Sequence, residues 1–95
     1  METTTSEKER VFRVKAGTPT TDLGAAIAPA IYDGEAVLLK SIGHGAAGQA
    51  VKGAAVAESL IGQRALHVKS NFMFFNTTMP DGEVWCGITI RMAPD

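Results

Sequence analysis

The stretch from Ser41 to Ile61 constrains the fold more than any other part of the chain. Its small apolar residues recur at offsets of three and four, the spacing that places side chains on one face of a helix. They are Ala46, Ala47, Ala50, Val51, Ala54, Ala55 and Ala57. Because small side chains let a backbone lie close to a sheet or a second helix, the pattern predicts a mostly buried helix that ends near Gly62.

A Gly-His-Gly loop, residues 43–45, is predicted immediately before this helix. Glycines permit a sharp turn and leave the first helical N–H groups uncovered, and such a turn can bind an anion. A Gly-rich helix entry is more often only a turn. Both interpretations stand on these residues alone.

The length of 95 residues is that of one domain. We expect a flexible, polar tail over residues 1–8 and a single domain over residues 9–95. The hydrophobic content of 45% and charged content of 20% are typical of a soluble globular protein. No apolar run approaches the roughly 20 residues of a membrane span, and no signal peptide is recognisable. The expected location is the cytoplasm, without a membrane partner.

Hydrophobic periodicity predicts six elements in the order β-α-β-α-β-β. The predicted strands cover residues 10–16, 35–42, 65–76 and 84–92, and the first helix lies between residue 18 and the Asp33-Gly34 turn. Right-handed crossovers would place both helices on one face of the sheet. The predicted fold is therefore an α+β two-layer sandwich with a four-stranded mixed sheet.

The sequence also predicts the local structure at several single positions. Thr18 is predicted to cap the first helix, with Pro19 at its first position. Pro29 removes a helical hydrogen bond and is expected to kink or shorten the last turn. Residues 77–82 read as a hairpin loop. Cys86 shares the period-two series of Val84, Ile88 and Ile90, which alternates with polar or small residues and predicts a buried strand position.

The chain offers little material for catalysis or metal binding. One cysteine cannot form an internal disulfide, and two separated histidines, His44 and His67, make a zinc site improbable. The glycines match neither a phosphate-binding loop ending in Lys-Ser/Thr nor a dinucleotide fingerprint. A general base at His44 is a minor alternative. We expect no enzyme activity, catalytic residue, metal or cofactor.

Charge placement suggests an anion-binding edge. The formal net charge of −1 argues against a strongly basic nucleic-acid binder, but Lys15 and Lys40 end two strands that should be parallel. Helix N-termini lie at that same edge, where ligands tend to bind. The predicted nucleic-acid-binding residues are Lys15, Thr18, Lys40, Gly43, His44, Gly45, Gln49 and Lys52. Each lysine taken alone is more often only a solvated charge.

The run from Ile42 to Lys52, IGHGAAGQAVK, resembles the motif IGAGALNQAVKAVAIAR of the stage V sporulation protein S family. The resemblance extends from about Arg13 to Met92. The family is small and bacterial, is linked genetically to spore formation and septation, and is similar to the Alba-type nucleic-acid-binding fold. That fold has the same element order and forms dimers. This chain departs from the family pattern at Ala16, His44 and Gly48.

The resemblance implies a small non-enzymatic regulator that binds nucleic acid weakly and acts as a homodimer or tetramer. The alternative is a protein-interaction or scaffolding module of sporulation or cell division that binds no nucleic acid. In that alternative the small-residue helix and the strand containing Phe72–Phe75 would build an oligomer. Exposure of Met73, Met79 and Trp85 would favour it.

Overall fold

The six predicted elements are present in a computed structural model that describes residues 8–64 and 66–95. They are β1 (Glu9–Val14), α1 (Thr20–Tyr32), β2 (Ala36–Ile42), α2 (His44–Gly62), β3 (Val68–Thr78) and β4 (Val84–Pro94). The predicted element order and the two-layer α+β sandwich are confirmed. The predicted tail over residues 1–8 lies, apart from Lys8, outside the described residues, and the division from a domain over 9–95 stays a prediction.

The sheet has the strand order β1-β2-β4-β3. Strands β1 and β2 are parallel, whereas β4 runs antiparallel to both of its neighbours, so the sheet is mixed as predicted. Because β1 and β2 are parallel, their carboxyl ends lie at one edge of the sheet. Each of these ends is followed by a helix, which brings the starts of α1 and α2 to the same edge.

Both helices pack on one face of the sheet and bury the core between the layers. The largest fully buried side chains are Ile27, Val37, Leu39, Ile61, Ile90 and Met92. The two helices also contact each other closely, because Gly53 lies against Leu23 and Gly24 lies against Val56. A Cβ atom at either glycine would overlap the facing side chain. The small-residue pattern of α2 therefore serves helix–helix packing as well as packing on the sheet.

The hairpin of β3 and β4 extends beyond the rest of the sheet. Strand β2 pairs with β4 only from Gly87 to Met92, whereas β3 continues alongside β4 to the pair of Thr78 and Val84. We call residues 76–86 the hairpin tip. The helices pack on β1, β2 and β4. On the same face of β3 only the start of the strand is covered, where Val68 packs against the core and Ser70 Oγ is buried. Phe72 and Phe74 on that face are consequently 64% and 80% exposed.

For the first helix, the expected Thr18 cap is wrong, and so is the expected shortening at Pro29. The residue that precedes α1 as its N-cap is Pro19, and its carbonyl accepts the Leu23 amide at 3.0 Å. Thr18 instead closes a turn, in which its Oγ1 accepts the Lys15 amide at 2.9 Å. Pro29 lies inside α1 and does not shorten it, since the helix continues to Tyr32 and the Pro29 carbonyl accepts the amide of Asp33 at 3.0 Å. The kink expected at Pro29 stays a prediction.

Boundary and burial expectations also need correction around α2 and the hairpin. His44 and Gly45 belong to the first turn of α2, not to a loop before it. Strand β3 begins at Val68, later than predicted, and it includes Thr77 and Thr78 of the expected loop, which is shortened accordingly. Cys86 is exposed because β2 does not pair with β4 at this position and the first turn of α2 faces it only across an open cleft.

Candidate nucleic-acid interface

A groove of about 710 Å³ lies where the sheet face opposite the helices meets the carboxyl ends of β1 and β2. Three cationic residues, Arg13, Lys15 and Lys40, line it together with Phe75. Its other polar side chains are those of Asn76 and Thr77, and among the described residues that line it none is acidic. The groove therefore concentrates positive charge in a chain whose net charge is −1.

The register of β1 and β2 brings the cations together. Arg13 and Lys40 are direct partners in the parallel pair, so their side chains point to the same face. Their chain neighbours Val14 and Leu39 are buried on the helix side, which directs both cations to the face opposite the helices. Lys15 follows β1 directly and lines the same groove. Within residues 8–64 and 66–95, none of these three cations is paired with a carboxylate.

A hydrogen-bonded turn holds Lys15 at the groove. The Thr18 amide donates to the Lys15 carbonyl at 3.0 Å, and the Lys15 amide donates to Thr18 Oγ1 at 2.9 Å. Gln49 Nε2 of α2 donates to the Thr18 carbonyl at 2.7 Å. Thr18 and Gln49, both predicted to contact phosphate, thus use these polar atoms to hold the β1–α1 turn against α2.

The two glycines of the Gly-His-Gly segment have different structural roles. Gly43 adopts a φ of +91°, a left-handed conformation that favours glycine, and its carbonyl accepts the Ala47 amide at 2.9 Å. At Gly45 a Cβ atom would lie 3.0 Å from that of Ala16, so glycine allows the first turn of α2 to approach the β1–α1 turn. In the described part of the chain, no side chain caps the start of α2.

Phe75 forms the aromatic wall of the groove. The rim of its ring rests on Gly87 of β4, where a Cβ atom would overlap the ring. The ammonium of Lys40 lies over the ring, 5.5 Å from its centroid. Sequence reasoning missed this residue as part of the site. The signal was present, because a strand that places Phe72 and Phe74 on one face places Phe75 on the other.

The structure divides the eight predicted site residues. Lys15, Lys40, Gly43 and Gly45 line the groove. His44 lines a smaller cleft of about 190 Å³ with Phe74 and Cys86, and Lys52 is exposed on α2 outside the lining of the groove. Arg13 and Phe75 are the main additions to the predicted set.

The described residues lack two other features. They contain no group of three or more side chains that could hold a metal ion. Neither of their helices is long and apolar enough to cross a membrane.

The fold is that of Alba-type proteins. The solved structure of Alba from Thermoplasma volcanium superposes with a TM-score of 0.63 at 15% identity, covering 88% of this chain and 99% of that chain. At the sequence level, residues 10–95 match the family described as Stage V sporulation protein S (SpoVS). The chain belongs to this family, which confirms the resemblance of the α2 motif. No curated protein is similar to it at a significant level.

Proposed function

We propose that this protein is a non-enzymatic regulator of sporulation that binds nucleic acid weakly and acts in the cytoplasm as a homodimer or tetramer. The observation that carries the binding proposal is the convergence of Arg13, Lys15 and Lys40 in one groove without a carboxylate among its described lining residues. Cations without acidic partners attract phosphate, and each neutralised phosphate releases counterions. The uncapped start of α2, beside Gly43 and Gly45, adds backbone N–H groups at the same edge.

Family membership and fold support the remaining parts of the proposal. The family name supports a role in sporulation, and the Alba-type fold supports binding of nucleic acid and self-association. The polar groups of the groove support a binding role rather than catalysis. They are cations, one amide and one hydroxyl, so the described lining has no carboxylate or imidazole to move a proton near neutral pH.

A charge-matched pair of double variants tests the binding site. Lys15→Ala/Lys40→Ala removes two cations from the groove, and Lys8→Ala/Lys69→Ala removes two exposed cations elsewhere. We expect the first variant to lose most of its affinity for labelled DNA and RNA at low salt, and the second to keep it within about threefold, because only nearby charges are weakly screened. Equal losses would show that net charge alone governs binding. Absence of wild-type binding to both nucleic acids would refute the proposal.

A second candidate function, a protein-interaction module without nucleic acid, is favoured by exposed apolar residues on the hairpin. Phe72 and Phe74 lie on the helix side, while Met73 and Trp85 are 44% and 45% exposed on the opposite face. Apolar surfaces of this kind mark interaction sites. Pull-downs from lysate with and without nuclease separate the two functions. Partners that survive nuclease, together with no direct binding of purified protein to DNA or RNA, would favour the second.

A further inference from the structure

We propose that the groove binds a single-stranded segment of nucleic acid, with one base stacked on Phe75 and the neighbouring phosphates bound by Arg13, Lys15 and Lys40. This inference rests on the proposed nucleic-acid binding and specifies the ligand of that site. Cationic side chains beside an aromatic ring are the combination that single-strand-binding proteins use, because every base has a π-face and every nucleotide a phosphate.

The ring of Phe75 can exchange its contact with the Lys40 ammonium for a stacked base. Gly87 supports its rim, and Lys40 is the cation that lies over it. No described carboxylate holds Lys40 in that position, so its flexible side chain is free to turn toward a phosphate. A base can then occupy the space above the ring. Cation–π contacts at accessible sites are weak compared with base–aromatic stacking, so the exchange is favourable.

The size of the groove and the position of Phe75 within it favour one strand over two. Its volume of about 710 Å³ lies within the roughly 300–1,000 Å³ of small-molecule sites, which is space for individual nucleotides. In a duplex the bases are stacked on one another and cannot reach a ring that lies in a groove. Unpaired bases can be splayed out and stacked on aromatic side chains. Phe75 can therefore contribute to binding only if the ligand is single-stranded.

A second aromatic residue, Trp85, lies beside the groove and provides a fluorescence signal for binding. Trp85 is the cross-strand partner of Thr77, which lines the groove, so both residues point to the face opposite the helices. Its indole Nε1 donates to Glu83 Oε1 at 3.1 Å, which fixes the ring at the hairpin tip. As the sole tryptophan of the chain, Trp85 reports through its fluorescence on a base that approaches this end of the groove.

The experiment compares a labelled duplex of mixed sequence, about 12 base pairs long, with each of its separated strands, as DNA and as RNA. A mononucleotide serves as a third probe. Affinities are measured by fluorescence anisotropy at low salt for wild type, Phe75→Leu and Phe75→Tyr. Phe74→Leu is the matched control, because it makes the same change on the opposite face of β3. Light scattering verifies that the variants share one oligomeric state.

We expect wild type to bind single strands more tightly than the duplex and to show quenching of Trp85. Phe75→Leu should weaken single-strand binding by about 5- to 140-fold, the range that loss of one stacked base predicts. Its affinity for the duplex should stay within about twofold, because paired bases do not contact the ring. Phe75→Tyr, which keeps the ring, and Phe74→Leu should behave as wild type.

Three results would overturn the inference. Duplex binding at equal or higher affinity that is insensitive to Phe75→Leu would leave the proposed function intact and refute the single-stranded ligand. Mononucleotide binding without strand binding would refute both the strand and the proposed function, as would no binding to any nucleic acid. If Phe75→Leu does not fold, photo-crosslinking of a 4-thiouridine strand to wild type tests the same contact, and crosslinks confined to residues outside 75–77 would contradict it.

Discussion

At the scale of single residues, Gln49 connects α2 to the β1–α1 turn that holds Lys15 at the groove. Its Nε2 donates to the Thr18 carbonyl at 2.7 Å in a partly buried position. Gln49→Ala should lower the free energy of unfolding by about 1 kcal/mol, because this hydrogen bond is lost and the carbonyl is left without that donor. Gln49→Glu, with a similar shape but no N–H donor, should show a comparable loss. Urea denaturation measures both, and an unchanged midpoint in both variants would contradict the assigned role.

A second prediction concerns Gly48 and Gly53 of α2, which have different surroundings. A Cβ atom at Gly53 would overlap Leu23 of α1, whereas one at Gly48 would meet nothing within 4 Å. Gly53→Ala should therefore lower the free energy of unfolding by about 1–2 kcal/mol through overpacking, even though alanine favours the helix. Gly48→Ala, the matched control, should raise it by up to about 1 kcal/mol. Thermal denaturation of the pair checks the sign, and stabilisation by both substitutions would refute the close helix contact.

Part of the site could be predicted residue by residue. Lys15 and Lys40 were expected at one edge because parallel strands in successive β-α-β units end together, and both line the groove. The same reasoning assigned Thr18 and Gln49 to ligand contact. Their mutual hydrogen bond depends on how α1 and α2 pack, and no spacing in the sequence encodes that packing.

At the scale of elements, Gly87 allows β3 to place an aromatic ring on β4. A Cβ atom there would overlap the Phe75 ring and lie 2.7 Å from the Ser41 carbonyl oxygen. Gly87→Ala should lower the free energy of unfolding by about 1–3 kcal/mol, as overpacking does. The added substitution Phe75→Leu should recover part of that loss, because a smaller side chain relieves one of the two overlaps. A double-mutant cycle by denaturation measures the recovery, and strict additivity would contradict direct contact.

The strands and helices themselves were predictable because their periodicities are local. The alternation of Phe12 with Arg13 and the small-residue spacing of α2 each need only a few neighbouring residues. The exposure of Cys86 could not be predicted in the same way. Alternation indicates that a residue shares a face with its apolar neighbours, but whether a helix covers that face depends on the relative lengths of the hairpin and the helix layer.

At the scale of the whole molecule, a near-neutral chain holds its binding charge in one place. Each phosphate neutralised on a single strand contributes about −0.7 to the slope of log affinity against log salt, so three groove cations predict a slope of about −2. Lys15→Ala/Lys40→Ala should reduce this slope to about −0.7. Titrations with a single-stranded oligonucleotide at four salt concentrations measure both slopes. A wild-type slope near zero would contradict phosphate contact.

The overhanging hairpin has a consequence for how the protein behaves in the cell. The two helices do not extend over the part of β3 that carries Phe72 and Phe74, so both side chains are exposed to water in a single copy of the chain. Covering them is favourable by about 25 cal/mol per Å² of apolar area removed from water. If the proposed self-association covers these side chains, mass action makes the extent of assembly depend on the number of molecules per cell.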